Sequence, residues 1–275
     1  LIKKNKMIYD CFSYWDEDLL LDLRLNILNK FVDYFVIVEG NKTWQNNPKK
    51  LRFNIDKFKK FKDKIIYVPV EDMPDGDDPY KRENFQRNAI LRGLKNSVNE
   101  DIIIISDLDE IPNPSFISNF NPNNRFAVFK QKHFYYKLNL QSQNNPFWLG
   151  SRICVKKYLK SPQWLRDLKF KKRPFWRIDK LRLNNIFENG GWHFCNLKNP
   201  QELLYKYKNL CETNDPYNFN EKIDQKYLDK DEITKRILDR EDIIGRNDKF
   251  KKIDLDNSFP EYLIKNLNNF KDWIV

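Results

Sequence analysis

Cysteine is scarce in this chain, and its placing excludes more than its number. Cys11, Cys154, Cys195 and Cys211 lie far apart with no C-x-x-C pair among them, so neither a zinc knuckle nor a thioredoxin-type redox pair is present. Free, mostly buried thiols in a reducing compartment are expected. No apolar run approaches the roughly 20 residues needed to cross a bilayer. Residues 1–6 are polar and basic and lack the apolar core of a signal peptide. The chain as given therefore reads as soluble and cytoplasmic, with a peripheral membrane contact compatible with its charge. It opens on Leu1, and Met7 directly precedes the first strand, so an upstream anchor and a start at Met7 are both open. Glycine is also sparse, 7 in 275 residues, beside abundant Lys, Asn, Ile and Phe. A biased genome composition gives that imbalance, which weakens the net charge of +11 as evidence for a polyanion partner.

What is present is apolar material for one large domain: 40% hydrophobic and 15% aromatic residues exclude a disordered or fibrous chain. Residues 7–12 read as a buried strand and 17–31 as a helix with Leu20, Leu23, Ile27, Leu28 and Phe31 near one face. A strand over 34–39, a basic helical stretch near 54–62, a strand over 65–70, an amphipathic helix over 82–94 and a strand over 101–106 follow. This alternation predicts an α/β fold with an open, mostly parallel sheet. Beyond residue 112 the pattern changes to short aromatic strands, 126–129 and 133–138, then a basic region up to a turn at Gly190 and Gly191. From Pro200 the chain reads as charged helix. Neither an internal repeat nor a long linker interrupts it.

The most informative segment is Ile102, Ile103, Ile104, Ile105, Ser106, Asp107, Leu108, Asp109, Glu110, Ile111 and Pro112. An apolar strand delivers three carboxylates at its carboxyl end, where open α/β sheets bind ligands, and Pro112 is expected to end the strand pairing. Acids crowded in this way repel one another unless a cation lies between them. Carboxylates suit Mg²⁺ or Mn²⁺, and such an ion can grip a diphosphate and stabilise it as a leaving group.

The stretch from Ile105 to Pro112 resembles the metal motif of glycosyltransferase family 17, the bisecting N-acetylglucosaminyltransferase family. Other blocks agree in order: Asp22 to Leu25 with Val32 to Glu39, then Asn41 with Pro48, Leu51 and Phe53, then Arg82 to Ile90, then Gly190 to Phe194. The resemblance covers roughly residues 7–245. It implies a GT-A nucleotide-binding α/β sandwich, a UDP-N-acetylglucosamine donor, a saccharide acceptor and anomeric inversion. On this reading residues 1–275 form a single domain, with a nucleotide- and metal-binding half (7–112), an acceptor-side half (113–199) and a helical C-terminal region (200–275).

The resemblance also implies roles. Asp109 would ligate the metal, while Asp107 reaches the ribose or holds a metal-bound water. His193, between Trp192 and Phe194, would complete the metal shell, and His133 reads as structural. Glu39, at the end of the second strand, would accept hydrogen bonds from the uracil or ribose. Arg87 would grip the diphosphate or pair with Glu83 or the acidic cluster. Arg24 reads as structural, with Asp33 as its expected partner. Inversion needs a carboxylate base: on position alone, since neither Glu188 nor Asp167 falls within a matching block, Glu188 stands first because it precedes the glycine pair, with Asp167, Asp179 and Glu110 beside it. Trp148, Trp164, Trp176 and Trp192 offer flat faces to sugar rings or pack in the core. A nucleotidyltransferase would use similar acids. A nucleic-acid module built on the basic stretches 49–52, 57–64 and 169–173 would have no use for the acidic cluster, so no nucleic-acid partner is expected.

Overall fold

The computed structural model describes residues 6–170, 185–217 and 223–275. Strand β1 (Ile8–Ser13), helix α1 (Asp18–Leu28) and strand β2 (Tyr34–Gly40) come first. A 3-10 segment (Ile55–Lys64), strand β3 (Ile65–Val70), helices α2 (Pro79–Asn88) and α3 (Ile90–Gly93) and strand β4 (Ile102–Asp107) follow. The helix expected over 82–94 starts earlier, at Pro79, where the Asp78 carboxylate accepts from the Tyr80 and Lys81 amides, and it breaks between Asn88 and Ile90.

These four strands pair in parallel in the order β3, β2, β1, β4. The isoleucine run of β4 explains why they are central. Ile102 and Ile104 face the apolar core that contains the α1 leucines, while Ile103 and Ile105 face the opposite core with Ile90 and Leu94. A strand buried on both faces needs apolar residues at every position. After β1 the chain steps outward to β2 and β3 and then returns to place β4 on the other side of β1. The carboxyl ends of β1 and β4 therefore flank a topological switch point, with Ser13 opposite Asp107.

The second half contains β5 (Glu110–Pro112), α4 (Pro114–Ser118), β6 (Phe126–Tyr135), β7 (Leu140–Ser142), β8 (Phe147–Val155), α5 (Pro162–Asp167) and β9 (Ile186–Cys195). It ends with α6 (Pro200–Tyr207), α7 (Lys230–Leu238), β10 (Phe250–Lys252) and α8 (Glu261–Lys265). Here the structure corrects the expectation of a mostly parallel sheet. Strand β8 lies between β4 and β6, antiparallel to both, and the ten-stranded sheet is mixed. The two aromatic strands expected over 126–138 are one strand, β6, with a register shift between Val128 and Lys130. Among its described residues the C-terminal region carries short helices and 3-10 turns joined by irregular chain, and β10, which pairs with β7. Asp179, Trp176 and the end of the basic stretch 169–173 lie outside the described residues.

Gly190 and Gly191 do not form a turn. They lie inside β9 where it passes between β5 and β6. A Cβ on Gly190 would sit 2.6 Å from the Lys130 nitrogen, and one on Gly191, where φ is +130°, would sit 2.2 Å from the Ile111 oxygen. Only glycine permits this approach and this dihedral. Pro112, expected to end the pairing of the metal strand, instead closes the short β5, opposite Gly191. Gly191→Ala is accordingly expected to lower stability by more than the roughly 1–3 kcal/mol of a strained backbone position. Urea unfolding would measure this, with Gly76→Ala, at φ +108° in open space, as the milder control.

Candidate active site

The turn from Asp107 to Glu110 is held from beneath by one buried arginine. Arg24, fully inaccessible on α1, donates from Nε and Nη2 to the two Asp10 oxygens at 2.8 and 2.6 Å and from Nη2 to the Ser106 hydroxyl. Its Nη1 donates to the carbonyls of Asp107, Leu108 and Glu110 at 3.1, 3.0 and 2.8 Å. The expected partner Asp33 is engaged elsewhere, accepting from the Ile8 amide at 2.7 Å. Arg24 thus joins β1, β4 and the acidic turn, and its planar fork is what satisfies so many acceptors at once.

Above this base the three acids have different environments. Asp107 accepts from Arg87 at 3.1 Å and from Arg166, on α5, at 2.9 Å. Burial works to raise its pKa, but the two guanidinium groups outweigh it and hold the carboxyl well below the usual range. Glu110 is 1% exposed and fully engaged: its oxygens accept from both Arg166 terminal nitrogens at 2.6 and 2.9 Å, from the Trp148 indole at 2.8 Å and from the Asp107 amide at 3.1 Å. That excludes Glu110 as a base. Among the described residues no guanidinium pairs with Asp109. Its Oδ1 lies 3.4 Å from His193 Nε2, and although burial works to raise its pKa, the imidazole lowers it.

The register explains how His193 reaches Asp109. Strand β9 pairs with β5 so that His193 stands opposite Glu110, and with β6 so that it stands beside His133. Burial disfavours the His193 charge, but Cys195 and Asp109 outweigh it and raise the pKa well above the ordinary value. Two ligands of one divalent ion, each bonded at about 2.0–2.2 Å, lie about 3.0–3.4 Å apart, so the separation of Asp109 and His193 suits a shared cation. His193 Nδ1 is buried with no hydrogen-bond partner. The carboxylate and imidazole fit an ion such as Mn²⁺.

Residues 1–272 match the family described as Glycosyltransferase family 17. The chain belongs to glycosyltransferase family 17. A segment of 104 residues is 34% identical to the beta-1,4-mannosyl-glycoprotein 4-beta-N-acetylglucosaminyltransferases of Homo sapiens and Rattus norvegicus and 33% identical to that of Mus musculus. The matched segment covers 34% of this chain and 19% of each relative, so the chain matches about a fifth of their length.

In this family 17 chain the acidic turn opens onto a cavity of about 240 Å³. Trp15, Trp44, Arg87, Asp107 and Asp109 line it from the α/β half, and Tyr135, His193, Cys195, Lys206, Tyr207, Glu212 and Arg246 from the other. Arg87 takes the pairing role: it binds Asp107, Glu83 at 2.7 Å and Gln163. Its pKa is raised because, against burial, Glu83 and Asp107 favour the charge. Glu39 is a correction. Its carboxylate is fully buried and accepts from Lys49, the Arg52 and Phe53 amides at 2.8 and 3.0 Å and the Tyr67 hydroxyl at 3.0 Å. It pins the loop after β2 and does not line the cavity.

Glu188 and Asp167 are corrected as well. Glu188 is exposed and paired with Lys130 at 2.7 Å, five residues before His193, a separation of about 16 Å along a strand. Asp167 is exposed, accepts from Gln163 at 2.8 Å and borders a separate shallow groove. Of the tryptophans, Trp192 is buried and Trp164 packs edge-on against Phe126, while Trp148 holds Glu110.

Sequence reasoning missed Arg166, Lys206, Glu212 and Arg246. Arg166 is 56 residues from its partner Glu110, and no local signal marks it. For Lys206 one local signal existed: Asn199, Pro200 and Glu202 form a capping box that starts α6 and sets which face carries residues 206 and 207. The basic stretches are partly spent inside the protein, with Lys49 on Glu39 and Lys64 on the carbonyls of Asn29 and Val32 at 2.6 and 2.9 Å.

Arg24→Leu would leave Asp10 buried without its counter-ion, and a loss of about 3–5 kcal/mol in urea unfolding is expected. Arg24→Lys should recover only part of this, since an ammonium cannot reproduce the fork. Full recovery would show that charge alone holds the turn.

Proposed function

We propose that this protein is a metal-dependent inverting glycosyltransferase that moves N-acetylglucosamine from UDP-N-acetylglucosamine to a saccharide acceptor. The observation that carries this reading is the division of labour among the acids. Arg87 and Arg166 neutralise Asp107, Arg166 neutralises Glu110, and Asp109 faces the cavity with an imidazole at ligand spacing. The donor sugar follows the names of the relatives, all N-acetylglucosaminyltransferases.

Asp109 and His193 would hold the divalent ion, whose chemistry is to neutralise the diphosphate as it leaves. Lys206 and Arg246 add positive charge on the facing wall. Burial disfavours the charge on Lys206, but Asp109 and Glu17 more than offset this and keep the ammonium protonated. Trp15 and Trp44 meet edge to face at 5.9 Å, and the Trp44 indole nitrogen is buried without a partner. It offers a donor to a nucleobase carbonyl, while Trp15 offers an apolar surface.

The base is assigned to Glu212. Of the other cavity carboxylates, Asp107 is held by two arginines, Asp109 by His193, and Glu17 accepts from the Trp15 and Asp16 amides at 3.2 and 3.1 Å. Among the described residues no hydrogen bond or ion pair holds Glu212, so its carboxylate is free to take the acceptor proton.

Calorimetry with UDP and UDP-N-acetylglucosamine, each with and without Mn²⁺, tests the donor class, and binding only with the ion is expected. Asp109→Asn should remove that binding without unfolding the protein, and binding that persists unchanged in the variant would sink the mechanism. Glu212→Gln should keep donor binding and lower transfer by roughly 10²–10⁴. An unaltered rate would place the base elsewhere.

A further inference from the structure

Glycosyl transfer has no use for a thiol beside its metal, yet Cys195 stands there. The parallel pairing of β6 and β9 sets His133 beside His193 and Tyr135 beside Cys195, so residues 133, 193 and 195 project from one face of the sheet. The two imidazoles stack with centroids 4.7 Å apart and planes 3° from parallel. The Cys195 sulfur lies 3.0 Å from His193 Nε2 and 3.4 Å from His133 Nε2. The ligand atoms of His133, His193 and Cys195 all lie within 4.8 Å of one another; Asp109 Oδ1 adjoins this trio, 3.4 Å from His193 Nε2, but does not lie that close to all three. His133 and His193 are 4% and 8% exposed.

His133 is arranged as a ligand would be. Its Nδ1 lies 3.1 Å from the Asn145 carbonyl, which can only accept, so Nδ1 carries the proton and Nε2 keeps its lone pair toward the sulfur. A backbone carbonyl on the second ring nitrogen is the usual way a metal-binding histidine is oriented.

We propose that His133, His193, Cys195 and Asp109 form a closed four-donor site for a zinc-type divalent cation. Two imidazoles, a thiolate and a carboxylate are a set that tetrahedral Zn²⁺ accepts, with bonds of about 2.0–2.3 Å and ligand separations of about 3.4–3.6 Å. Of the six separations among four donors, His133 to Cys195 and His193 to Asp109 already match, and the Asp109 carboxylate must swing toward the other two donors to close the set. The His193 and Cys195 atoms must part by about half an ångström and the parallel rings tilt toward a common point. The Cys195 thiol proton and the Nε2 proton of the His193 imidazolium both pass to solvent as the ion binds. Nitrogen and sulfur donors favour Zn²⁺ over Mn²⁺ or Mg²⁺. Four protein ligands leave no open position for a diphosphate, so zinc withdraws Asp109 from the donor and opposes Mn²⁺-supported binding. That consequence rests on the glycosyl-transfer reading; the site itself does not.

The test uses the whole chain, reduced and stripped by chelator, titrated with Co²⁺ alone as the spectroscopic stand-in for Zn²⁺. A thiolate-to-cobalt charge-transfer band and the visible bands of tetrahedral Co²⁺ are expected, both bleached by one equivalent of Zn²⁺. Cys195→Ser should lose the charge-transfer band, and Cys211→Ser should keep it. His133→Phe should weaken Zn²⁺ binding by more than the roughly 10–100-fold that loss of an outer partner costs. Thermal melts without metal confirm that each variant is folded. No charge-transfer band in the native chain, or the same band in Cys195→Ser, overturns the site. With Mn²⁺ present, Zn²⁺ should abolish UDP binding to the native chain and spare it in His133→Phe. UDP binding that survives Zn²⁺ occupancy overturns the antagonism. A cobalt band with no UDP binding under any condition leaves the metal site standing and removes the glycosyl-transfer reading.

Discussion

Arg24 is the residue on which the rest of the site depends. A guanidinium taken fully out of water is tolerable only if its donors are matched, and here Asp10 takes the charge while a hydroxyl and three carbonyls take the remaining hydrogens. Those carbonyls belong to the turn that presents Asp107 and Asp109. With its backbone held in this way, the turn can place carboxylates close together without being pushed open by their repulsion. The same arginine ties α1 to β1 and β4, so docking of the first helix and shaping of the acidic turn form one event in the fold.

Around that base the protein supplies its own cations before any ligand enters. Arg166 lies between Asp107 and Glu110, and Arg87 reaches Asp107 from α2. Three acids at one strand end would otherwise require several cations. With two of them met by arginine, Asp109 is the acid of these three that faces the cavity beside an imidazole. The carbonyl-braced turn is a rigid support for it.

The far wall is brought in by β9. Gly190 and Gly191 let that strand run between β5 and β6 at a distance no side chain would allow, and this passage delivers His193 to Asp109 and sets His133 and Cys195 beside it. Helix α6, started by its capping box, then covers the cavity with Lys206 and Tyr207. Local chemistry at two glycines and one cap thus decides which long-range neighbours the acidic turn receives.

The sequence by itself determined the parallel half of the sheet and the acidic strand end. The isoleucines of 102–105, the Val-Ile-Val run of β2 and the strand over 65–70 are periodic signals that depend on few neighbours. Asp107 and Asp109 were legible because a buried strand must end where its carboxylates begin. Tertiary structure alone decided the rest. Glu39 at a strand tip and Glu188 before a glycine pair look like site residues in one dimension; burial closed the first around Lys49, and a strand's length carried the second away from the cavity. Arg166, Glu212 and Arg246 entered by packing across many residues of chain, and the antiparallel insertion of β8 came from pairing between distant segments. Periodicity records which face of an element is apolar. It holds no record of which other element will cover that face, and the composition of a cavity is set by that second choice.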